Sequence, residues 1–107
     1  MCIRDSVEAI AAVDGVDVIH LGSNDLLANM GKPGQFDDPA LVAAQERLIA
    51  ACRKHGKFAG CGGNRDVARQ VEIIRKGCQF ITTQSDIGFL SAAASKWTAG
   101  IRDGLKA

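Results

Sequence analysis

Three apolar runs in this chain each end in small polar residues: Gly22-Ser23-Asn24-Asp25 after Leu21, Gly62-Gly63-Asn64 after Cys61, and Gln84-Ser85-Asp86 after Thr83. Asp25 has the strongest chemical potential. Its carboxylate suits a hard divalent cation, and the amides of Asn24 and Asp25 could hold an anionic substrate if a helix starts there. On spacing alone, an N-cap for residues 26 to 30 is the simpler reading. One carboxylate does not complete a Mg²⁺ site, which takes one or two carboxylates together with substrate oxygens.

Gly62-Gly63-Asn64 is compatible with an anion nest or with a tight turn before a helix. Ser85-Asp86 reads as a helix cap, or as a hydroxyl and a carboxylate facing a pocket. His20 lies inside a strand, one residue before its end, so it points into a barrel interior or serves as a hydrogen-bonded core histidine. His55 precedes Gly56 at a helix C-terminus, where the dipole favours a cation rather than catalysis. Gly60-Cys61-Gly62-Gly63 leads to Arg65 where a dinucleotide fingerprint needs glycine, and no P-loop lysine follows. Four cysteines, Cys2, Cys52, Cys61 and Cys78, form no C-x-x-C pair. They are expected to be reduced, small apolar residues in or near the core.

These segments need elements to place them. Residues 5 to 13 read as a helix with Asp5 as N-cap and Glu8 three positions on, halted by Asp14-Gly15. Val16 to Leu21 is a β-branched run, expected as a strand, with Asp14 and Asp17 as turn and solvating residues at its far end. Gly22 to Asp37 is a long loop that includes a short helical turn over Asp25 to Met30. Asp38-Pro39 starts a helix, with Leu41, Ala44, Leu48, Ile49 and Cys52 on its inner face. Lys57 to Cys61 is a second strand. Arg65 to Lys76 is a helix presenting Val67, Ala68, Val71 and Ile74, stopped by Gly77. Gln79 to Thr83 is a third strand, and a closing helix runs from Asp86 to about Leu105.

Strands alternating with helices predict parallel βαβ units, whose ligands bind at the carboxyl ends of the strands. Three parallel strands near 16–21, 57–61 and 79–83 are few for a complete domain, so the order suggests part of a larger sheet.

The chain has 107 residues, with 13 Lys and Arg against 12 Asp and Glu, and 47% hydrophobic residues. That balance fits a packed globular core and lacks the basic footprint of a nucleic-acid-binding protein. No apolar run is long enough to span a bilayer, and no signal peptide is evident, so a cytoplasmic protein without a membrane partner is expected.

In Val7-Glu8-Ala9-Ile10-Ala11-Ala12-Val13-Asp14-Gly15-Val16-Asp17, Gly22-Ser23-Asn24-Asp25-Leu26, Gly31-Lys32-Pro33-Gly34-Gln35-Phe36, Ala50-Ala51-Cys52-Arg53-Lys54-His55-Gly56-Lys57 and Ser85-Asp86, the chain resembles the HpcH/HpaI aldolases. These are class II, metal-dependent 2-oxo acid aldolases. The combination of the N-D-L element, the G-x-P-G-Q-F loop and the A-C-R-K-H-G-K helix end is more specific than any one of them.

The resemblance implies a (β/α)₈ TIM barrel, about 250 residues in full, in which these strands are the sixth, seventh and eighth. Residues 7–107 would be its C-terminal part, and residues 1–6 a leader foreign to the fold. It implies Asp25 as a ligand of Mg²⁺, Mn²⁺ or Co²⁺, with the backbone of Asn24 and Asp25 binding the substrate carboxylate. The family's first metal-ligand glutamate, its substrate-contacting arginine and its base-positioning histidine fall on earlier strands, so neither Glu8 nor His20 takes those roles. The implied activity makes or breaks a bond of a 4-hydroxy-2-oxo acid through a pyruvate enolate, with a 2-oxo acid and an aldehyde as partners. The 107 residues alone are expected to be inactive, and the full-length parent to be a homo-oligomer. A citrate-lyase-like CoA-ester lyase of the same superfamily and a non-catalytic α/β module are the alternatives.

Overall fold

A computed structural model of the chain describes residues 3–106. Cys2 lies outside them. Helix α1 (Ile3–Ala11) begins earlier than its sequence suggests, so Asp5 stands within the helix and does not cap it. Val7 and Ala11 are buried, and this apolar face sets the helix on α3 (Pro39–Lys54). At the far end of α3, Glu8 Oε1 accepts from Lys54 Nζ at 2.6 Å and meets His55 Nε2 at 2.8 Å. A turn through Gly15 (φ 82°) then leads into the sheet.

The sheet has three parallel strands, β1 (Val18–Gly22), β2 (Phe58–Gly62) and β3 (Phe80–Ile81), in the order β1-β2-β3. Register pairs His20 with Gly60, Gly22 with Gly62, and Gly60 with Phe80. Each strand is displaced from its expected span. β3 shrinks to two residues, although Gln79 N to Ala59 O (2.8 Å) and Thr82 N to Cys61 O (3.3 Å) carry the pairing one residue further on each side.

Strand alternation divides the sheet into two unlike faces. Ile19, Leu21, Ala59 and Cys61 are buried, on the side that α3 covers, whereas Val18, His20, Phe58 and Phe80 stand exposed on the other. Helix α3 contributes more of the core than any other element among the described residues. Asp38 Oδ1 accepts from Ala40 N at 2.9 Å, Pro39 occupies the first turn, and Leu41, Ala44, Leu48, Ile49, Ala51 and Cys52 are all buried. That face is the one the 3-4-3 spacing predicts. Cys52, Cys61 and Cys78 are free and buried, as expected of small core residues.

Helix α4 (Val67–Lys76) departs from expectation. Val67, Val71 and Ile74 are exposed, and Ile73 is the residue buried. The rotation has a cause on the helix itself. Asp66 caps it by accepting from Arg69 N (2.9 Å), Arg69 forks onto Asp37, and Gln70 donates to the Asn64 carbonyl (2.7 Å). Arg69, Gln70 and Ile73 share a helical face, and these polar ties turn that face inward. Helix α5 (Asp86–Gly104) is capped by Ser85, whose Oγ accepts from Gly88 N at 3.2 Å, and buries none of its residues. No helix among the described residues is long and apolar enough to cross a membrane.

Candidate active site

The short helix α2 (Ser23–Asn29) follows β1 without a break, held down by the buried Leu27. Gly22 is its N-cap and offers no side chain, so the amides of the first turn have no side-chain acceptor. Asp25 is therefore the third residue of the helix, and the alternative that it caps residues 26 to 30 is overturned. Its carboxylate folds back over the strand end: a Cβ on Gly22 would stand 2.7 Å from Asp25 Oδ2. The side chain is exposed and has no hydrogen bond or ion pair among the described residues.

Asn24 joins two strand ends. Its Nδ2 donates to the Gly63 carbonyl at 2.8 Å, and Gly63 takes φ +90°, where a Cβ would stand 3.0 Å from the Asn24 backbone nitrogen. Asn64 Oδ1 accepts from Asp66 N at 2.9 Å, forming an Asx turn into α4. Gly62-Gly63-Asn64 thus forms the tight turn expected before a helix. Ser85 is a cap, and Asp86 Oδ1 accepts from the amide of Ile87 at 2.7 Å.

The three expected segments do converge. Asn24, Gly63, Arg65, Thr82, Thr83 and Ser85 line one open pocket of about 130 Å³ at the C-terminal ends of the strands. Asp25 is not among its lining residues. Beside it, the 31–38 loop is strapped down twice, by the Arg69 fork on Asp37 and by Lys32 Nζ on Asp38 Oδ2 at 2.6 Å. Those contacts hold the carboxyls of Asp37 and Asp38 below the usual range, chiefly through the Arg69 and Lys32 hydrogen bonds.

His20 is exposed on the open face and is not a hydrogen-bonded core residue. Alternation carries the signal: Ile19 and Leu21, its neighbours, must face the helices, so His20 must face away. The Asn24 side-chain tie and the Arg69 strap have no signature in the sequence, because each joins residues more than thirty positions apart.

Parallel βα units with a free carboxylate and uncapped amides at the carboxyl ends of the strands define the ligand end of an α/β enzyme fold. A family model described as HpcH/HpaI aldolase/citrate lyase matches residues 2–93, and the chain belongs to that family. It is 41% identical over 93 residues to the 4-hydroxy-4-methyl-2-oxoglutarate aldolase cghB of Chaetomium globosum, covering 84% of this chain and 34% of that protein. It is 36% identical over 94 residues to the 5-keto-4-deoxy-D-glucarate aldolase of Klebsiella pneumoniae subsp. pneumoniae, covering 86% and 36%. The crystal structure of an HpcH/HpaI aldolase/citrate lyase family protein from Burkholderia cenocepacia J2315 superposes with a TM-score of 0.82 at 31% identity, over 92% of this chain and 38% of that one. The chain spans about a third of the length of these curated relatives, and its three βα units have the fold of part of a TIM barrel.

Proposed function

We propose that the chain is part of a divalent-metal-dependent aldolase that makes or breaks a carbon–carbon bond of a 4-hydroxy-2-oxo acid by way of a pyruvate enolate. The observation that carries this reading is the free Asp25 carboxylate at the end of β1, in a chain whose relatives are named as aldolases. Its donor chemistry fits a hard cation, since the oxygens are exposed and unclaimed. No group of three or more ligating side chains occurs among the described residues, so Asp25 serves as one ligand of a shared site.

When bound, Mg²⁺, Mn²⁺ or Co²⁺ supplies a Lewis acid for the 2-oxo group. The amides of Asn24 and Asp25, left open by the glycine cap, hold the substrate carboxylate, while Gly22 leaves the space into which the Asp25 side chain turns. None of these residues moves a proton. The other partner is an aldehyde, and nucleic acid and membrane take no part. The parent is a cytoplasmic homo-oligomer, a reading supported by the unburied apolar face of α5.

The test is pyruvate release from a 4-hydroxy-2-oxo acid by the intact enzyme with Mg²⁺ or Mn²⁺. Asp25→Ala is expected to abolish it, and the 107-residue chain alone to show no more than a trace. Wild-type activity of Asp25→Ala at saturating metal would remove Asp25 from the site.

A further inference from the structure

Beside Asp25, the open face of the sheet carries a second polar constellation. Register places His20, Gly60 and Phe80 in one row, and Gly22 and Gly62 in the next, with Thr82 following Ile81 on β3. The two glycines of β2 leave a trough, and the His20 ring lies in it. A Cβ on Gly60 would stand 2.6 Å from His20 Nδ1, and one on Gly62 would stand 2.6 Å from Nε2 and clash outright with Thr82 Oγ1. Phe80 meets the imidazole edge to face, with centroids 5.7 Å apart and planes at 86°, which fixes the ring along the trough. His20 Nε2 and Thr82 Oγ1 therefore converge over the Gly62 Cα. Neither atom has a hydrogen-bond partner among the described residues.

The point over Gly62 where the two atoms converge lies one strand over from Gly22, on which the Asp25 carboxylate rests, because the two glycines are register partners. Adjacent strands are about 4.8 Å apart, so a molecule of a few carbons held at Asp25 reaches His20 and Thr82 with its next substituent. The chemistry presented there is specific. A neutral imidazole nitrogen accepts or donates according to its tautomer, a threonine hydroxyl does both, and a substrate hydroxyl is the smallest group that answers the two together. A methyl group leaves both unanswered.

We propose that His20 and Thr82 form a hydrogen-bonding floor, opened by Gly60 and Gly62, that receives a hydroxyl carried by the 2-oxo acid, making them the residues that select a hydroxylated donor over pyruvate. The inference rests on the aldolase reading. Sites built to bond a hydroxyl discriminate by about 10⁴-fold when fully buried. A more modest preference of roughly ten- to a hundredfold is expected here.

The experiment uses the intact enzyme and compares C3 proton–deuterium exchange in D₂O for hydroxypyruvate and for pyruvate, in wild type, His20→Phe, Thr82→Val and Asp25→Ala. The preference for hydroxypyruvate is expected to fall about tenfold in His20→Phe or Thr82→Val, through KM more than kcat, with pyruvate exchange retained. An unchanged ratio in both variants, with pyruvate exchange intact, overturns the floor and leaves the aldolase reading standing. Exchange of neither donor by the wild type overturns that reading and the floor with it. Thr82→Val keeps the test decisive should His20→Phe fail to fold, since valine is nearly isosteric with threonine.

Discussion

The Asn24 side chain donates to the Gly63 carbonyl at 2.8 Å, bridging 39 residues of sequence and joining the ends of β1 and β2. Strand pairing alone stops at Gly22 and Gly62, so this bond is what extends the alignment of the two strands into their loops. Asn24→Ala is expected to lower unfolding stability by about 0.5–1.5 kcal/mol, the net worth of one such bond. Urea titration of the chain measures it, and an unchanged midpoint would show that the bond holds nothing in place. Asn24→Asp replaces the donor with a second acceptor and is expected to be worse than alanine.

Much of this architecture is legible in the sequence. Asp38-Pro39 and the spacing of Leu41, Ala44, Leu48, Ile49 and Cys52 specify α3 and its inner face, because a long helix on a sheet has to bury one stripe. The face of α4 is not, because two partly apolar stripes compete there. The Arg69 strap to Asp37 and the Gln70 bond to Asn64 decide between them, and both are contacts between distant elements or turns. Asp25 was legible as a carboxylate at a strand end. That it sits three residues into α2, turned back on Gly22, was not, because the sequence does not show that glycine serves as the cap.

Gly22→Ala tests that geometry without touching the carboxylate. The added methyl would stand 2.7 Å from Asp25 Oδ2, and the carboxylate can swing away, so the fold should tolerate it. Unfolding stability is expected to shift by less than about 1 kcal/mol. In the intact enzyme the displaced ligand should weaken Mn²⁺ binding by roughly ten- to a hundredfold, in the range of altered ligand placement at metal sites. Titration of Mn²⁺ by its paramagnetic relaxation reads this directly, and an unchanged affinity would mean that Gly22 does not govern where Asp25 points.

Glu8 ties α1 to the end of α3, and its carboxyl is held below its ordinary value of 4.5 by hydrogen bonds from Lys54 and then His55. A depressed folded-state pKa contributes stability above the unfolded value, and that contribution is lost as pH falls through the folded one. The thermal midpoint of the wild type should therefore decline below about pH 4.5. In Glu8→Gln this component is absent, so the two proteins should differ at pH 7 and converge in acid. The declines that come from Asp37 and Asp38, also depressed, remain in both and start from 3.8. A gap between wild type and variant that stays constant from pH 7 to pH 3 would refute the clamp.

The buried thiols should be protected by access. Burial pushes Cys52 up, and Cys61 is raised by its hydrogen bond with Cys78 and by burial. The same hydrogen bond pulls Cys78 down, a direction that would favour attack if the sulfur could be reached. Only 2% of Cys78 is accessible, and its Sγ–H donates to the Ala59 carbonyl at 3.2 Å. Peptide-resolved alkylation should find Cys52, Cys61 and Cys78 unmodified in the native chain and all three modified together on unfolding. Rapid modification of Cys78 alone under native conditions would place an opening at the start of β3.

Helix α5 offers the last test, through the one tryptophan of the chain. Trp97 is 74% exposed, and Ile87, Phe89, Leu90 and Ile101 are exposed around it on a helix that buries nothing of its own. A run of large side chains left in water costs free energy that a second copy recovers by covering it, at about 25 cal/mol per Å² of apolar surface buried. If α5 is the surface through which the parent assembles, Trp97 emission should lie near that of free tryptophan at low concentration and move to shorter wavelength as the oligomer forms. Sedimentation velocity over the same concentration range should show the same midpoint. Ile101→Glu is expected to abolish both changes while leaving the sheet intact, because no residue of the core rests on that side chain. Assembly that proceeds with unshifted Trp97 emission would place the interface elsewhere, and emission that shifts without a change in mass would show instead that α5 folds back onto its own chain.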